Sequence, residues 1–90
     1  MSISESFKAL AVPMRREILD LLKEGRMSAG DIASHFNVTQ PAISYHLTIL
    51  KKANLIYESK YKNFIYYELN TTVFDNLIIW LKTIKGDEEE

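Results

Sequence analysis

Ninety residues give room for one small domain, and such a chain buries only about 60 to 65 per cent of its unfolded surface, so a second copy or a partner would help to stabilise it. The absence of cysteine excludes disulfides, cysteine-ligated structural zinc, thiol catalysis and redox sensing at cysteine. The net charge of −1 conceals an asymmetry: Asp87, Glu88, Glu89 and Glu90 are four of the twelve acids, which leaves eight acids against eleven lysines and arginines, a net +3, with cations concentrated at Arg15 and Arg16, Lys51 and Lys52, and Lys60 and Lys62.

Phe7, Leu10 and Ala11 predict a short first helix that ends at Val12, because proline follows. Pro13 opens a second helix. Its buried face is Ile18, Leu19, Leu21 and Leu22; Arg15, Arg16, Asp20, Lys23 and Glu24 stay in water, and Gly25 stops it. Ser28, Ala29, Gly30 and Asp31 then form a capping box. The Ser28 hydroxyl can accept from the N–H three residues on, while the Asp31 carboxylate can reach back and favours the positive helix end. The short third helix carries an apolar stripe of Ile32, Ala33 and Phe36, and Asn37 is suited to end it in a left-handed conformation. Asn37, Val38 and Thr39 make the turn. Thr39 caps a fourth helix with Pro41 in its first turn, and nothing interrupts that helix before Asn54.

Two capped helices joined by a short turn are the pattern of a helix-turn-helix. On the second of them Ile43, Leu47 and Leu50 recur at i, i+4 and i+7 and face inward. At 100° per residue the outer side carries Pro41, Tyr45, Thr48 and Lys52, with Ser44 on the flank and Gln40 in the exposed first turn. Gln can bond adenine bidentately, Ser and Thr can meet several base edges, and such helices present their N-terminal residues to the major groove. Gln40, Ser44, Tyr45 and Thr48 are therefore the candidate base contacts. The competing reading is a solvated face with ordinary capping residues.

After Asn54 the period changes to two. Leu55 to Glu58 predict one strand and Phe64 to Leu69 a second, with Ser59 to Asn63 as the loop. A hairpin after a recognition helix is the wing of a winged helix-turn-helix. Its tip, Lys60, Tyr61, Lys62 and Asn63, holds two cations and no acid, which suits a phosphate or the minor groove; lysines that keep an edge hairpin from aggregating would look the same. Thr39, Arg15, Arg16, Lys51, Lys52, Lys60, Lys62 and Asn63 complete the expected phosphate and wing contacts.

The last helix, about Thr71 to Lys85, has eight apolar residues in a span of twelve: Val73, Phe74, Leu77, Ile78, Ile79, Trp80, Leu81 and Ile84. That is too wide for one core-facing stripe. We expect a homodimer built on this helix and the first, Ile3 to Leu10, with Ile3, Phe7, Phe74, Leu77, Ile78, Trp80, Leu81 and Ile84 at the interface. Burial within a larger domain is the alternative, and ninety residues leave little domain for it. Two-fold symmetry would set two recognition helices about 34 Å apart, reading a palindrome.

Other chemistry finds little support. His35 and His46 lie on different helices without a carboxylate pair, so a metal site is not expected, and His46 suits a hydrogen-bonded structural role or a phosphate contact. Ser28, Ser44 and Tyr45 have no base beside them and no glycine loop cradles phosphate, so no enzyme activity and no cofactor are expected. No apolar run approaches the about 18 residues of a membrane span and no basic-then-apolar leader opens the chain, so a cytoplasmic protein is expected.

Over about residues 5 to 85 the chain resembles the ArsR/SmtB family of dimeric winged-helix repressors. The resemblance rests on Phe7 through Leu19 (FKALAVPMRREIL), Ala29 through Ala33 (AGDIA), Gln40 through Ile56 (QPAISYHLTILKKANLI) and Tyr66 through Leu69 (YYEL), the third segment being the most specific. Within the family it looks most like the small metal-independent autorepressors of the SdpR type. Metal-sensing members carry cysteines in the first helix of the helix-turn-helix, where this chain has Ser28 and Gly30; others bind zinc between paired last helices through Asp and His, where this helix offers Asp75 but no histidine. The family's usual Asp before Pro13 is Val12, and its usual Gly-Arg at the wing tip is Lys62-Asn63.

The resemblance implies a mostly helical fold, four helices, a β-hairpin and a fifth helix, acting as a homodimer on double-stranded DNA. It implies a sequence-specific repressor at a palindromic promoter operator, without a metal ligand, and, as in SdpR-type relatives, autoregulation and removal from DNA by a membrane-associated partner. Residues 1–86 are expected to form the DNA-binding and dimerisation domain, and 87–90 an acidic disordered tail that solubilises the chain or competes for its basic surface. The rival functions are a protein-interaction module that uses the Tyr45 face, and a metal-responsive sensor with a non-standard site.

Overall fold

The computed structural model describes residues 2–86. The acidic tail expected at Asp87 to Glu90 lies outside the described residues. The elements run α1 (Ile3–Leu10), α2 (Pro13–Leu22), α3 (Ala29–Ala33), α4 (Gln40–Lys52), β1 (Ile56–Tyr61), β2 (Phe64–Leu69) and α5 (Thr71–Lys85). This is the winged helix-turn-helix order.

Local chemistry explains most boundaries. Ser2 caps α1 by accepting from the Glu5 N–H at 3.2 Å. Val12 is extended ahead of Pro13 and offers α2 no side-chain cap. α2 ends at Leu22, and the chain turns through Gly25 at φ +132°, a value that only glycine adopts without strain. Ser28 accepts from the Asp31 N–H at 3.1 Å, but the reciprocal bond from the Ser28 N–H to the Asp31 carboxylate is not made, so only half of the expected capping box forms. α3 stops at Ala33. The chain leaves it through Ser34, whose hydroxyl bonds the Asp31 carbonyl at 2.7 Å, rather than through a left-handed Asn37. The left-handed asparagine is Asn54 (φ 62°), just past α4, where its N–H closes on the Lys51 carbonyl at 2.9 Å.

β1 and β2 pair antiparallel from Ile56↔Leu69 to Tyr61↔Phe64. Ser59, Lys60 and Tyr61, expected in the loop, are strand residues, and the turn is only Lys62-Asn63. Lys62 holds φ 58° there, where a glycine would be unstrained. Met27 joins the far edge of β2 through both backbone bonds with Tyr67, at 3.2 and 2.8 Å, which ties the start of the helix-turn-helix to the hairpin. Asn70 anchors α5 to the end of α4: its N–H donates to the Leu55 carbonyl at 2.9 Å and its side chain to the Asn54 carbonyl at 3.0 Å.

The core draws on every helix and on the hairpin base: Ala9, Ile18, Leu19, Leu22, Ile32, Ile43, Leu47, Leu50, Ala53, Leu55, Ile56, Val73 and Leu77. Leu21, expected on the buried face, is half-buried at its edge. α5 gives the core only Val73 and Leu77 outright, with Phe74 against its rim, and every residue from Ile78 to Gly86 is exposed. The radius of gyration is 14.4 Å, against about 12 Å for a compact chain of this length, and the extents are 48 × 26 × 22 Å. Among the described residues no helix is long and apolar enough to cross a membrane.

Candidate nucleic-acid interface

α4 carries the residues expected to meet base edges. Ile43, Leu47 and Leu50 are at most 1% exposed, so three anchors fix its rotation about its own axis. The opposite face is thereby fixed as well: Gln40, Pro41, Ser44, Tyr45, Thr48, Lys51 and Lys52 are all exposed. Thr39 starts the helix by accepting from the Ala42 N–H at 3.3 Å, which engages one lone pair of its hydroxyl and leaves the proton to donate. Thr48 donates its hydroxyl proton to the Ser44 carbonyl at 3.0 Å, which leaves its oxygen as an acceptor and its methyl outward. Tyr45 is 61% exposed, and its ring meets His46 edge-on at 5.3 Å.

The expected phosphate contacts divide into engaged and unengaged cations. Arg16 donates from Nη1 to the Leu10 carbonyl at 2.6 Å and closes the end of α1. Lys51 lies 3.2 Å from Glu58 of β1, an ion pair between half-exposed partners that is worth at most about 1 kcal/mol. Arg15 is half-buried, with its Nε enclosed and unpartnered. Lys52, Lys60 and Lys62 remain exposed, with Asn63 beside Lys62 at the turn.

His46 points toward the protein side of α4, with Nδ1 buried and unpartnered. Burial, and second the Arg15 charge beside it, hold its pKa below the ordinary value. Burial and the negative Glu58 push the Tyr67 phenol upward. His35 lies elsewhere, its Nδ1 3.0 Å from the Asp31 carbonyl. Among the described residues no three of His, Cys, Asp and Glu come together as metal ligands would.

One cation escaped the sequence reading. Arg26, in the connection before α3, lies over two hairpin rings, 4.6 Å from the Tyr66 centroid and 5.1 Å from that of Tyr61. The Lys62 ammonium is 5.5 Å from the same Tyr61 ring. The aromatic density of the hairpin was visible in the sequence, but the cation that answers it is some forty residues away and joins it only through the Met27 bridge.

The α1 and α5 surface has the opposite composition. Ile3, Phe7, Ile78, Ile79, Trp80, Leu81 and Ile84 are between 37% and 68% exposed, and Phe7 meets Trp80 edge-on at 5.8 Å, which brings the apolar residues of α1 and α5 together at that point. Leu77, expected at the interface, is 7% exposed and belongs to the protomer's own core, because it shares the Val73 side of the helix. Phe74 packs partly on that core.

Comparisons with known proteins agree with this geometry. The family described as bacterial regulatory protein, arsR family, matches residues 13–58. The chain is 54% identical over 85 residues to the transcriptional repressor SdpR of Bacillus subtilis, covering 92% of this chain and 94% of that protein. It is 37% identical over 87 residues to the arsenical resistance operon repressor of Staphylococcus aureus, covering 97% and 84%. Among solved structures it is similar to an ArsR-like transcriptional regulator from Rhodococcus sp. RHA1, with a TM-score of 0.86, 27% identity and coverage of 93% and 79%. It is also similar to the homodimeric winged helix-turn-helix DNA-binding domain Mb0332 from Mycobacterium bovis, with a TM-score of 0.76, 25% identity and coverage of 98% and 82%.

Proposed function

Because this chain belongs to the arsR family of bacterial regulatory proteins, we propose that it is a transcriptional repressor that binds a palindromic promoter operator as a homodimer, without a metal ligand. The observation that carries the reading is α4. Its rotation is fixed by three buried anchors, and the face this turns outward is occupied by Gln40, Ser44, Tyr45 and Thr48, neutral hydrogen-bonding groups suited to base edges. Gln40 offers a carboxamide for adenine, Ser44 and the Thr48 oxygen offer acceptors, and the Thr48 methyl can meet thymine. Lys52 on the same helix and Lys60, Lys62 and Asn63 of the hairpin, all exposed, supply the sequence-independent attraction to phosphate. Thr39, Arg15, Arg16 and Lys51 contribute through position, since each is already engaged in a cap, an ion pair or partial burial.

The second copy is assigned to the α1 and α5 surface. Ile3, Phe7, Ile78, Trp80, Leu81 and Ile84, joined by Ile79 and the exposed part of Phe74, form an apolar area that water penalises in a monomer. Metal independence is supported by the donor set: a chain without cysteine has no thiolate to place at Ser28 or Gly30, and α5 holds no histidine. Repression then follows from occupancy of the promoter, and no catalytic step is required. The proposed partners are DNA and a second copy; no feature of the described residues selects a membrane-associated protein. Residues 1–86 constitute the functional unit in this proposal, with the acidic residues 87–90 as an appendage to it.

Selection of duplexes from a random pool tests the proposal. The selected set should share an inverted repeat, and Gln40→Ala should cost about 1 to 3 kcal/mol on it while relaxing one base position in each half-site. An unchanged base-substitution profile for Gln40→Ala would remove that residue from the readout. A protein-interaction module would select no repeat, and a metal sensor would change its DNA affinity when zinc is added.

A further inference from the structure

Arg26 combines three properties that seldom coincide in a surface arginine. It is exposed, it stands outside the two ion pairs of the described residues, Lys23–Asp20 and Lys51–Glu58, and its guanidinium is nevertheless held by the rings of Tyr66 and Tyr61 at 4.6 and 5.1 Å. A cation stacked on an aromatic face keeps its in-plane N–H donors available, and the planar fork suits the oxygens of a phosphate. The rings also restrict a side chain that would otherwise lose much rotamer freedom on binding.

The surroundings favour an anion. In the strand register Tyr57, Ser59 and Tyr61 share one hairpin face with Glu68, Tyr66 and Phe64. The only carboxylate on that face, Glu68, already accepts from the Tyr57 and Ser59 hydroxyls, each at 3.3 Å. Lys62 reaches the Tyr61 ring at 5.5 Å, so one ring brings two cations to the hairpin tip, and neither is ion-paired among the described residues.

We propose that Arg26 is a DNA-backbone contact outside the helix-turn-helix and the wing, and that Tyr66 and Tyr61 are its positioning residues, which set the guanidinium against a phosphate beside the wing. The proposal rests on the DNA-binding reading above and deepens it: the wing's cationic surface is completed by a residue from the connection between α2 and α3.

The test uses the full chain, a duplex selected from a random pool by the unmodified protein, and a scrambled duplex, each titrated over a range of salt. Arg26→Gln should weaken both duplexes alike, about tenfold near 0.1 M salt, and should flatten the slope of log K against log salt by about one. Arg26→Lys and Tyr66→Leu keep the charge, so each should keep the slope while losing several-fold in affinity. An unchanged slope and affinity in Arg26→Gln, with its thermal melt intact, overturns the contact. A loss confined to the selected duplex overturns the phosphate assignment, and wild-type affinity in Tyr66→Leu overturns the positioning role. Failure of the unmodified protein to select any duplex is a different result: it removes the DNA-binding reading itself.

Discussion

α4 and α5 each bury one side in the same core and turn the other outward, and the two outward sides have opposite chemistry. On α4 the exposed residues are Gln40, Pro41, Ser44, Tyr45, Thr48, Lys51 and Lys52; on α5 they include Ile78, Ile79, Trp80, Leu81 and Ile84. A hydrated polyanion suits the first surface and a second apolar surface suits the second. The contrast teaches that one core fixes the direction of both helices, and that the residues it leaves uncovered give each a different surface chemistry.

The largest expected effect separates the two faces of α4. Leu50→Ala opens a cavity in a fully buried site and should cost about 2 to 5 kcal/mol of stability, enough to threaten a domain of this size, whereas Gln40→Ala on the opposite face should stay within about 0.5 kcal/mol. Urea melts of the two variants check this, and similar midpoints would contradict the assignment of faces. Next in size is assembly. Trp80→Glu places a charge in the centre of the apolar α1 and α5 surface, and sedimentation at micromolar concentration should show a monomer with weakened operator binding. A variant that stays dimeric moves the interface elsewhere.

A smaller effect concerns the hairpin turn. Lys62→Gly relieves a left-handed residue and should stabilise the fold by up to about 1 kcal/mol, while removing a cation should flatten the salt slope of DNA binding by about one. Greater stability with weaker binding would mark Lys62 as kept for its charge; loss of both would contradict that view. The smallest effect is one of pH. Since the folded pKa of His46 is depressed, the unfolded chain binds more protons just below pH 6.5. Its contribution to stability is therefore full above about 6.5 and falls as pH drops toward the folded value. The difference in urea midpoint between wild type and His46→Gln should thus depend on pH below 6.5 and not above 7.

Much of this organisation is legible in the chain because it is local. Thr39 caps α4, Pro13 and Pro41 sit in first turns, and the spacing of Ile43, Leu47 and Leu50 fixes a helix face, all within a few residues of one another. The surplus of apolar residues on α5 could likewise be counted. What escaped was long-range or decided between equal local choices. Asn37 and Asn54 are both capable of a left-handed turn, and only Asn54 adopts one. β1 extends to Tyr61 because pairing with β2 continues as far as Phe64, which composition near Ser59 does not reveal. Lys51 and Arg16 look available in the sequence, and their engagement with Glu58 and the Leu10 carbonyl depends on how separate elements meet. Arg26 is the same case reversed: a lone basic residue that acquires a setting only when Met27 pairs with β2.

In the proposed complex two α4 helices, set by α5, read one duplex together. The most direct measurement is the mass of the complex formed by the full chain on a duplex selected from a random pool. Two chains per duplex are expected, on half-sites related by a two-fold and centred about one helical turn apart. One chain per duplex, or a selected sequence without an inverted repeat, would contradict that arrangement.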